Sequence, residues 1–457
     1  MSGSNGRISL TELRNRIDDG SIETVIVAIC DMQGRLVGKR LTGWYLRDHA
    51  ANHGVHFCTY LLGNDMEMNT PGGFALMSWE TGYGDYLARP DWDTLRVIPW
   101  LDKTALVLAD AVDESSGDMA PVAPRTILKR QIDRCNAVGL HPKMAMELEY
   151  YLLDDSYADT RKKGYTDLAR SGWYSEDYHI FQGSKHESIH GKIRNLMSQA
   201  GIPIEGSKGE DHGGQHEVNV HYANALESAD RAALLKHGAK EIAFQEGRSI
   251  TFMSKPCQDW TGSSGHIHVS LWDEQDSRNL FSGGSNAMSD TMRWFLGGLI
   301  TCTRELALFY APNVNSYKRF AAASWVPVNI IWARDNRTVG YRVVGKDDAL
   351  RIECRFPGGD ANPYLSHAFL LAAGLEGIEN QVEPPEAFDG NGYTAQGANR
   401  VPGTLYEAIS EWRESELAKQ AFGPAVAAHY LNAAMVEQQA FDETVTDWER
   451  ERYFERG

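Results

Sequence analysis

Lys143-Met-Ala-Met-Glu-Leu-Glu-Tyr-Tyr-Leu-Leu153 is the stretch that decides how this chain folds. Met144, Met146, Leu148, Tyr150 and Leu152 recur at a spacing of two, and Glu147 and Glu149 alternate with them. Successive side chains of an extended strand point to opposite faces. The run is therefore a strand with an apolar face to bury and an acidic face to offer.

Three further segments repeat the plan. Gln215, Glu217, Asn219 and His221 share a face against Val218 and Val220. His266, His268 and Ser270 oppose Ile267, Val269 and Leu271, and Arg351, Glu353 and Arg355 oppose Ile352, Cys354 and Phe356. Each alone is an ordinary half-exposed strand. Together in one sheet they make a floor of glutamate, histidine and arginine. Residues two apart on a strand are about 6.5–7 Å apart, so Glu147 and Glu149 can serve different ions or border one. Crowded carboxylates repel, and cations relieve that. Hard oxygen ligands with an imidazole suit Mg²⁺ or Mn²⁺ better than zinc.

Downstream, residues 313–364 carry six arginines (Arg319, Arg334, Arg337, Arg342, Arg351 and Arg355) in a chain of net charge −17. Arginine suits bidentate capture of carboxylate and phosphate. Gly-rich or small-residue loops, 208–217 and 254–265, run into two of the four strands, where substrate can approach backbone closely. Neither GxxxxGK[ST] nor GxGxxG occurs. The residues by themselves describe a metal-dependent enzyme for anionic substrates, with phosphoryl transfer among the chemistries open to it.

Bulk properties narrow the setting. A length of 457 residues predicts two domains. The acidic balance argues against nonspecific nucleic-acid binding. The six cysteines form no CxxC pair, so free thiols in a reducing compartment are expected. The first residues lack an apolar signal core and no apolar run spans a bilayer, so a cytoplasmic protein is expected, with no membrane partner. Residues 24–31 and Leu36–Leu41 read as a hairpin around Gln33-Gly34, and 95–108 as two apolar runs split by Pro99-Trp100. Asp110–Pro124 reads as a junction. Helices are expected at 125–138, 187–200, 229–247, 288–308, 364–377, 404–417 and 424–439.

The motifs in this order resemble the type I glutamine synthetase superfamily. They are Glu147-x-Glu149, Glu210 with Gly214-Gln215-x-Glu217, Lys255-Pro256 with the Gly/Ser loop and His266-x-His268, Asn315-Ser-Tyr-Lys-Arg319, Asn336-Arg337, and Arg351-Ile-Glu-x-Arg355-Phe-Pro. The resemblance implies an α+β protein: a β-grasp-like domain over 1–115 and a catalytic domain over 120–457, with an open barrel-like antiparallel sheet and helices. It implies a homo-oligomer of two stacked six-membered rings, with sites shared between neighbours. Glu149, Glu210 and Glu217 are implied as one metal site, and Glu147, His266 and Glu353 as the second. Arg319 and Arg355, with Thr261 and Gly262, are implied as the glutamate clamp. Arg337, Arg342 and Arg351 are implied for phosphates, and Tyr222, His268 and Ser270 for the nucleotide. The implied chemistry is ligation with ATP and Mg²⁺ (or Mn²⁺), in which L-glutamate becomes an acyl phosphate that an amine attacks.

One position departs from the family pattern. Glutamine synthetases carry a glutamate six residues after the Arg319-type arginine, and this chain has Trp325. Tryptophan has one N–H donor and cannot take a proton from ammonium. Its ring can pack an alkyl or aryl group, or face a cation. The expectation is a γ-glutamyl-amide synthetase for an organic primary amine, a small monoamine ahead of a polyamine. Asp65 on the 64–67 loop is a candidate base, beside Glu67. A glutamine synthetase using ammonia, a carboxylate kinase without ligation and an inactive structural relative are the competing readings.

Overall fold

The computed structural model describes residues 6–320 and 325–457. Residues 24–112 build a six-stranded sheet from β1 (Thr24–Cys30), β2 (Leu36–Thr42), β3 (Val55–Cys58), β4 (Asp85–Pro90), β5 (Arg96–Val97) and β6 (Thr104–Val112). Its order is β2-β1-β6-β4-β3, with β5 on β6. The largely apolar β1 is an interior strand, parallel to β6 and antiparallel to β2. Strand β2 lies at the edge, where exposed Lys39 and Arg40 blunt it against further pairing. The expected hairpin is present, and Asp31 Oδ1 closes it by accepting from the backbone N–H groups of Gln33 and Arg35. Gly34 takes the positive φ (82°) that this turn requires.

The second sheet has nine strands: β7 (His141–Leu153), β8 (Ile204–Gly209), β9 (Gln215–Val220), β10 (Ala223–Asn224), β11 (Ser249–Thr251), β12 (Gly265–Trp272), β13 (Trp332–Arg334), β14 (Tyr341–Val344) and β15 (Arg351–Cys354). The order is β13-β14-β15-β12-β7-β9-β8, with β10 and β11 also on β7. The four strands with a polar face, β15, β12, β7 and β9, are therefore consecutive. The sheet is barrel-like and nearly closed. All its ladders are antiparallel except β13 with β14, a parallel pair that alternation within single strands does not reveal.

Helices cover the apolar side. Helix Ala225–Gln245 packs on β7, and helix Pro363–Glu379 is buried nearly all round between Asp290–Cys302 and Pro124–Ala137. Its contact with Asp290–Cys302 needs glycine. A Cβ on Gly298 would sit 2.1 Å from the Ala373 carbonyl oxygen, and one on Gly377 2.1 Å from that of Trp294. The expected helices are all found, with ends shifted by a few residues, as in Ala225–Gln245 for 229–247. Helix Leu10–Asp18 and strands β3 and β4 were not legible in the sequence pattern.

Arg125 ties the six-stranded sheet to the helices that cover the second sheet. Its guanidinium donates to Asp110 Oδ1 and Asp91 Oδ2 at 2.7 Å and to both Asp230 oxygens at 3.0 Å. Asp230 also accepts from Tyr364 Oη. Such a buried network fixes one arrangement more than it adds stability. All six cysteines are free. No helix among the described residues is long and apolar enough to cross a membrane.

Candidate active site

Strand register turns the four polar faces into opposed pairs. His266 lies directly across from Glu147, Glu149 from Glu217, and Glu353 from both His268 and Arg342. Directly paired residues share a face with their side chains in contact range. The apolar partners, Met146, Val218, Ile267, Ile352 and Cys354, are buried on the opposite side. Alternation in four short strands therefore becomes one acidic floor.

Among the described residues, two triads on this floor have metal-ligand spacing. One oxygen or nitrogen from each of Glu147, His266 and Glu353 lies within 4.8 Å of the others, and so do ligand atoms of Glu149, Glu217 and His266. The first triad is the set expected for one metal. The second is most of the other set. Glu210, its remaining expected member, lies outside that spacing, with its carboxylate ion-paired to Lys208.

Electrostatics point the same way. Burial, then Glu149 and Glu217, pushes Glu210 up to about 9. Burial, then Glu147 and Glu149, pushes Glu217 up to about 7. These carboxylates are crowded beyond what Lys208 relieves, which is the environment a divalent cation corrects. The other side is neutralised from within. Burial alone would raise the Glu353 carboxyl, but Arg355 and the two histidines hold it at about 2. Arg355 Nη1 donates to Glu353 Oε1 at 2.6 Å, and Arg342 Nη1 to Oε2 at 3.0 Å. Burial also opposes the Glu147 carboxylate, yet the adjacent imidazoles of His266 and His268 hold it below the usual range. His266 Nδ1 faces Glu353 Oε1 at 3.5 Å and Glu147 Oε2 at 3.7 Å, and its Nε2 is buried with no hydrogen-bond partner among the described residues. The donor set thus fits hard divalent cations.

The floor opens into a cavity of ≈ 430 Å³ that Thr261, Gly262, Arg337, Arg342, Arg355 and Trp325 also line. Glu149 is aimed by the Ser264 backbone N–H (2.7 Å) and by Gln215 Nε2 (3.1 Å). Arg319 sits one layer behind the wall. It donates to the Phe356 carbonyl oxygen and Ser264 Oγ at 2.8 Å, and its Cγ presses on Gly262, where a Cβ would approach to 2.7 Å. Burial lowers its guanidinium to about 10. Among the described residues, Nε of Arg319 and Nε of Arg355 are buried donors without a partner, suited to an anion. Trp325 is 57 % exposed.

An adjoining cavity of ≈ 460 Å³ is lined by Tyr222, His268, Ser270 and Arg351. Arg351 Nε donates to His268 Nδ1 at 3.1 Å. Glu147 and Asn219 border both cavities. The expected nucleotide residues and the expected acid-substrate residues therefore meet at Glu147.

Asp65 is not brought to this floor. It lines a different cavity, and its carboxylate accepts from the backbone N–H and side-chain amide of Asn69. Sequence reading missed Asp177 and Tyr178, which border the floor. They belong to a segment without periodicity, and tertiary contact alone places them. Glu176 accepts from the Gly214 N–H, and its own N–H donates to the Glu210 carbonyl oxygen.

Comparisons with known proteins give the family. The profile of the glutamine synthetase catalytic domain matches residues 121–453. A γ-glutamylethanolamide synthetase of Streptomyces coelicolor is 46% identical, covering 98% of this chain and 96% of its own length. A glutamate–isopropylamine ligase of a Pseudomonas species is 36% identical, covering 98% of both. The solved structure of GmaS without ligand superposes with a TM-score of 0.85 at 30% identity, over 98% of this chain and 100% of that one. The chain belongs to the glutamine synthetase family.

Proposed function

We propose that this enzyme ligates the γ-carboxylate of L-glutamate to a small organic primary amine, with ATP hydrolysed to ADP and phosphate. The opposed pairing of Glu147 with His266 and Glu149 with Glu217, in a cavity whose mouth carries Trp325, is the observation that carries this reading. The likeness to two amine ligases over nearly the whole chain supports it.

In this reading Thr261, Gly262 and Arg355 hold glutamate, and Arg319 shapes that wall from behind. Tyr222, His268, Ser270 and Arg351 hold the nucleotide. Arg337 and Arg342 face the transferring phosphoryl group. Glu147, His266 and Glu353, with Glu149, Glu210 and Glu217, would hold Mg²⁺ or Mn²⁺, which supply charge neutralisation to the phosphoryl oxygens. Positioning and such neutralisation are where catalysis of phosphoryl transfer lies. The γ-carboxylate attacks the γ-phosphorus as the bond to ADP breaks; the deprotonated amine nitrogen then attacks the acyl carbon, forming the C–N bond and displacing phosphate to solvent. Trp325 gives the amine an apolar wall in place of a carboxylate.

The amine's conjugate acid titrates well above neutrality, so the attacking nitrogen must lose a proton. We assign this to Asp65 of a neighbouring subunit, in a ring assembly of twelve chains divided at residues 115–120 into the two expected domains. Mass spectrometry of products from ATP, glutamate, Mg²⁺ and a pooled amine library tests the reading. A γ-glutamyl alkylamide should dominate, and ammonia giving the highest kcat/KM would overturn the amine assignment.

A further inference from the structure

Beneath the 63–67 loop lies a cavity of ≈ 140 Å³ that does not touch the acidic floor. It is closed on one side by that loop and on the other by helix Pro424–Asp442. His429 on the helix bonds through Nε2 to the Leu62 carbonyl oxygen at 2.8 Å and so anchors the loop. Met32, Phe74 and Leu365 supply apolar wall.

The polar groups that border it are acceptors in excess. Asn64 is 2% exposed, and its Oδ1 is buried with no hydrogen-bond partner among the described residues. Among the described residues Glu437 has only a long contact from the Val314 N–H, at 3.5 Å. Burial, then Glu67 and Asp65, raises its carboxyl. Asp360 also borders the cavity, but Ser254, Asn313 and Ser316 already saturate it. The nearby guanidinium of Arg35 is held by Asp31 and by the carbonyl oxygens of Asp65 and Met66, and it does not line the cavity.

An orphaned buried acceptor, an underused carboxylate and apolar walls demand a ligand with a charged donor and a short apolar body. Size narrows it, since an engineered apolar cavity of about 150 Å³ takes one benzene. We infer that this cavity is a second binding site, for one small primary alkylammonium ion, with its nitrogen between Asn64 Oδ1 and Glu437 and its alkyl group on Phe74 and Leu365.

The test is titration of propylammonium chloride into Mg²⁺-saturated enzyme without ATP or glutamate, followed by calorimetry. Saturable binding is expected, at least tenfold tighter than for ammonium, which lacks the apolar body. Glu437→Gln and, separately, the cavity-filling Ala434→Leu should each weaken it at least tenfold. Thermal melts without amine show whether each variant is folded, and either folded variant suffices. Absence of saturable binding, or unchanged affinity in the folded variants, overturns the site. So does a crystal structure with propylammonium that shows only water, or a neighbouring subunit's side chain, at Asn64 Oδ1. The site does not rest on the ligase reading: γ-glutamyl amide formation without this binding sinks the site alone.

Discussion

The acidic floor and the cavity under the 63–67 loop are both rich in carboxylates, yet they are built for different cations. On the floor, strand register fixes carboxylate oxygens and an imidazole nitrogen within 4.8 Å of one another, and Arg342 and Arg355 neutralise one end. That spacing is right for an ion whose ligands converge on a point. Under the loop, Asn64 and Glu437 come from separate elements and face apolar wall. There a cation needs a body as well as a charge. Convergence of ligands, more than the number of acids, separates the two.

The largest expected effect breaks the floor. Glu353→Ala removes a ligand position and leaves Arg342 and Arg355 without their shared partner. Amine-dependent ADP release should fall by about 10²–10³-fold or more, on the scale of losing one charge-stabilising group. Near-normal release would mean that the floor holds no catalytic metal.

Next is the mouth of that cavity. Trp325→Glu restores a carboxylate where the apolar wall stands. The ratio of kcat/KM for propylamine over ammonia should drop by about tenfold, the scale of a few methylene contacts. An unchanged ratio would take Trp325 out of amine selection.

A smaller effect probes the anchor of the second region. Burial holds the His429 imidazole down at about 4, and burial likewise holds His367 at about 3. Each folded value lies below the unfolded value of about 6.5, so the unfolded chain binds more protons between them. Their contribution is complete above about pH 6.5 and is lost as pH falls towards 4 and 3, at roughly 1.4 kcal/mol per pH unit each. His429→Gln keeps a donor for the Leu62 carbonyl and removes the titration. Melting temperatures from pH 7 to 5 should fall less steeply in that variant, and an equal slope would refute the assignment.

The smallest effect sharpens the division between the two cavities of the active site. Tyr222 is half exposed at the rim of the ≈ 460 Å³ cavity. Tyr222→Ala should raise KM for ATP by a few-fold, the size of one partly exposed stacking contact, and leave KM for glutamate unchanged. A change confined to glutamate would reverse the roles of the two cavities.

Much of the floor was legible because alternation is local. Glu147 and Glu149 share a face whatever β7 pairs with, and so do His266 and His268. The adjacency of β15, β12, β7 and β9 agreed with that reading because an apolar face on each strand must be buried together. Glu210 was less legible. Its carboxylate pairs with Lys208, a neighbour two residues away, while the loop it begins is held by Glu176 from a separate segment. Arg319 read as a clamp; its Nη atoms bond the Phe356 carbonyl oxygen and Ser264 Oγ, and its Nε is buried with no partner among the described residues.

The sequence by itself determined which side chains share a face and that hard oxygen donors stand there beside arginines; the resemblance to glutamine synthetases is what singled out Trp325. The tertiary structure alone decided that Asp177 and Tyr178 border the floor. It also decided that Asn64 and Glu437, 373 positions apart in the chain, share a cavity. The physical reason is range. Strand alternation is fixed by the stereochemistry of adjacent residues, whereas a loop's place is set by contacts such as His429 with Leu62, which no local pattern encodes.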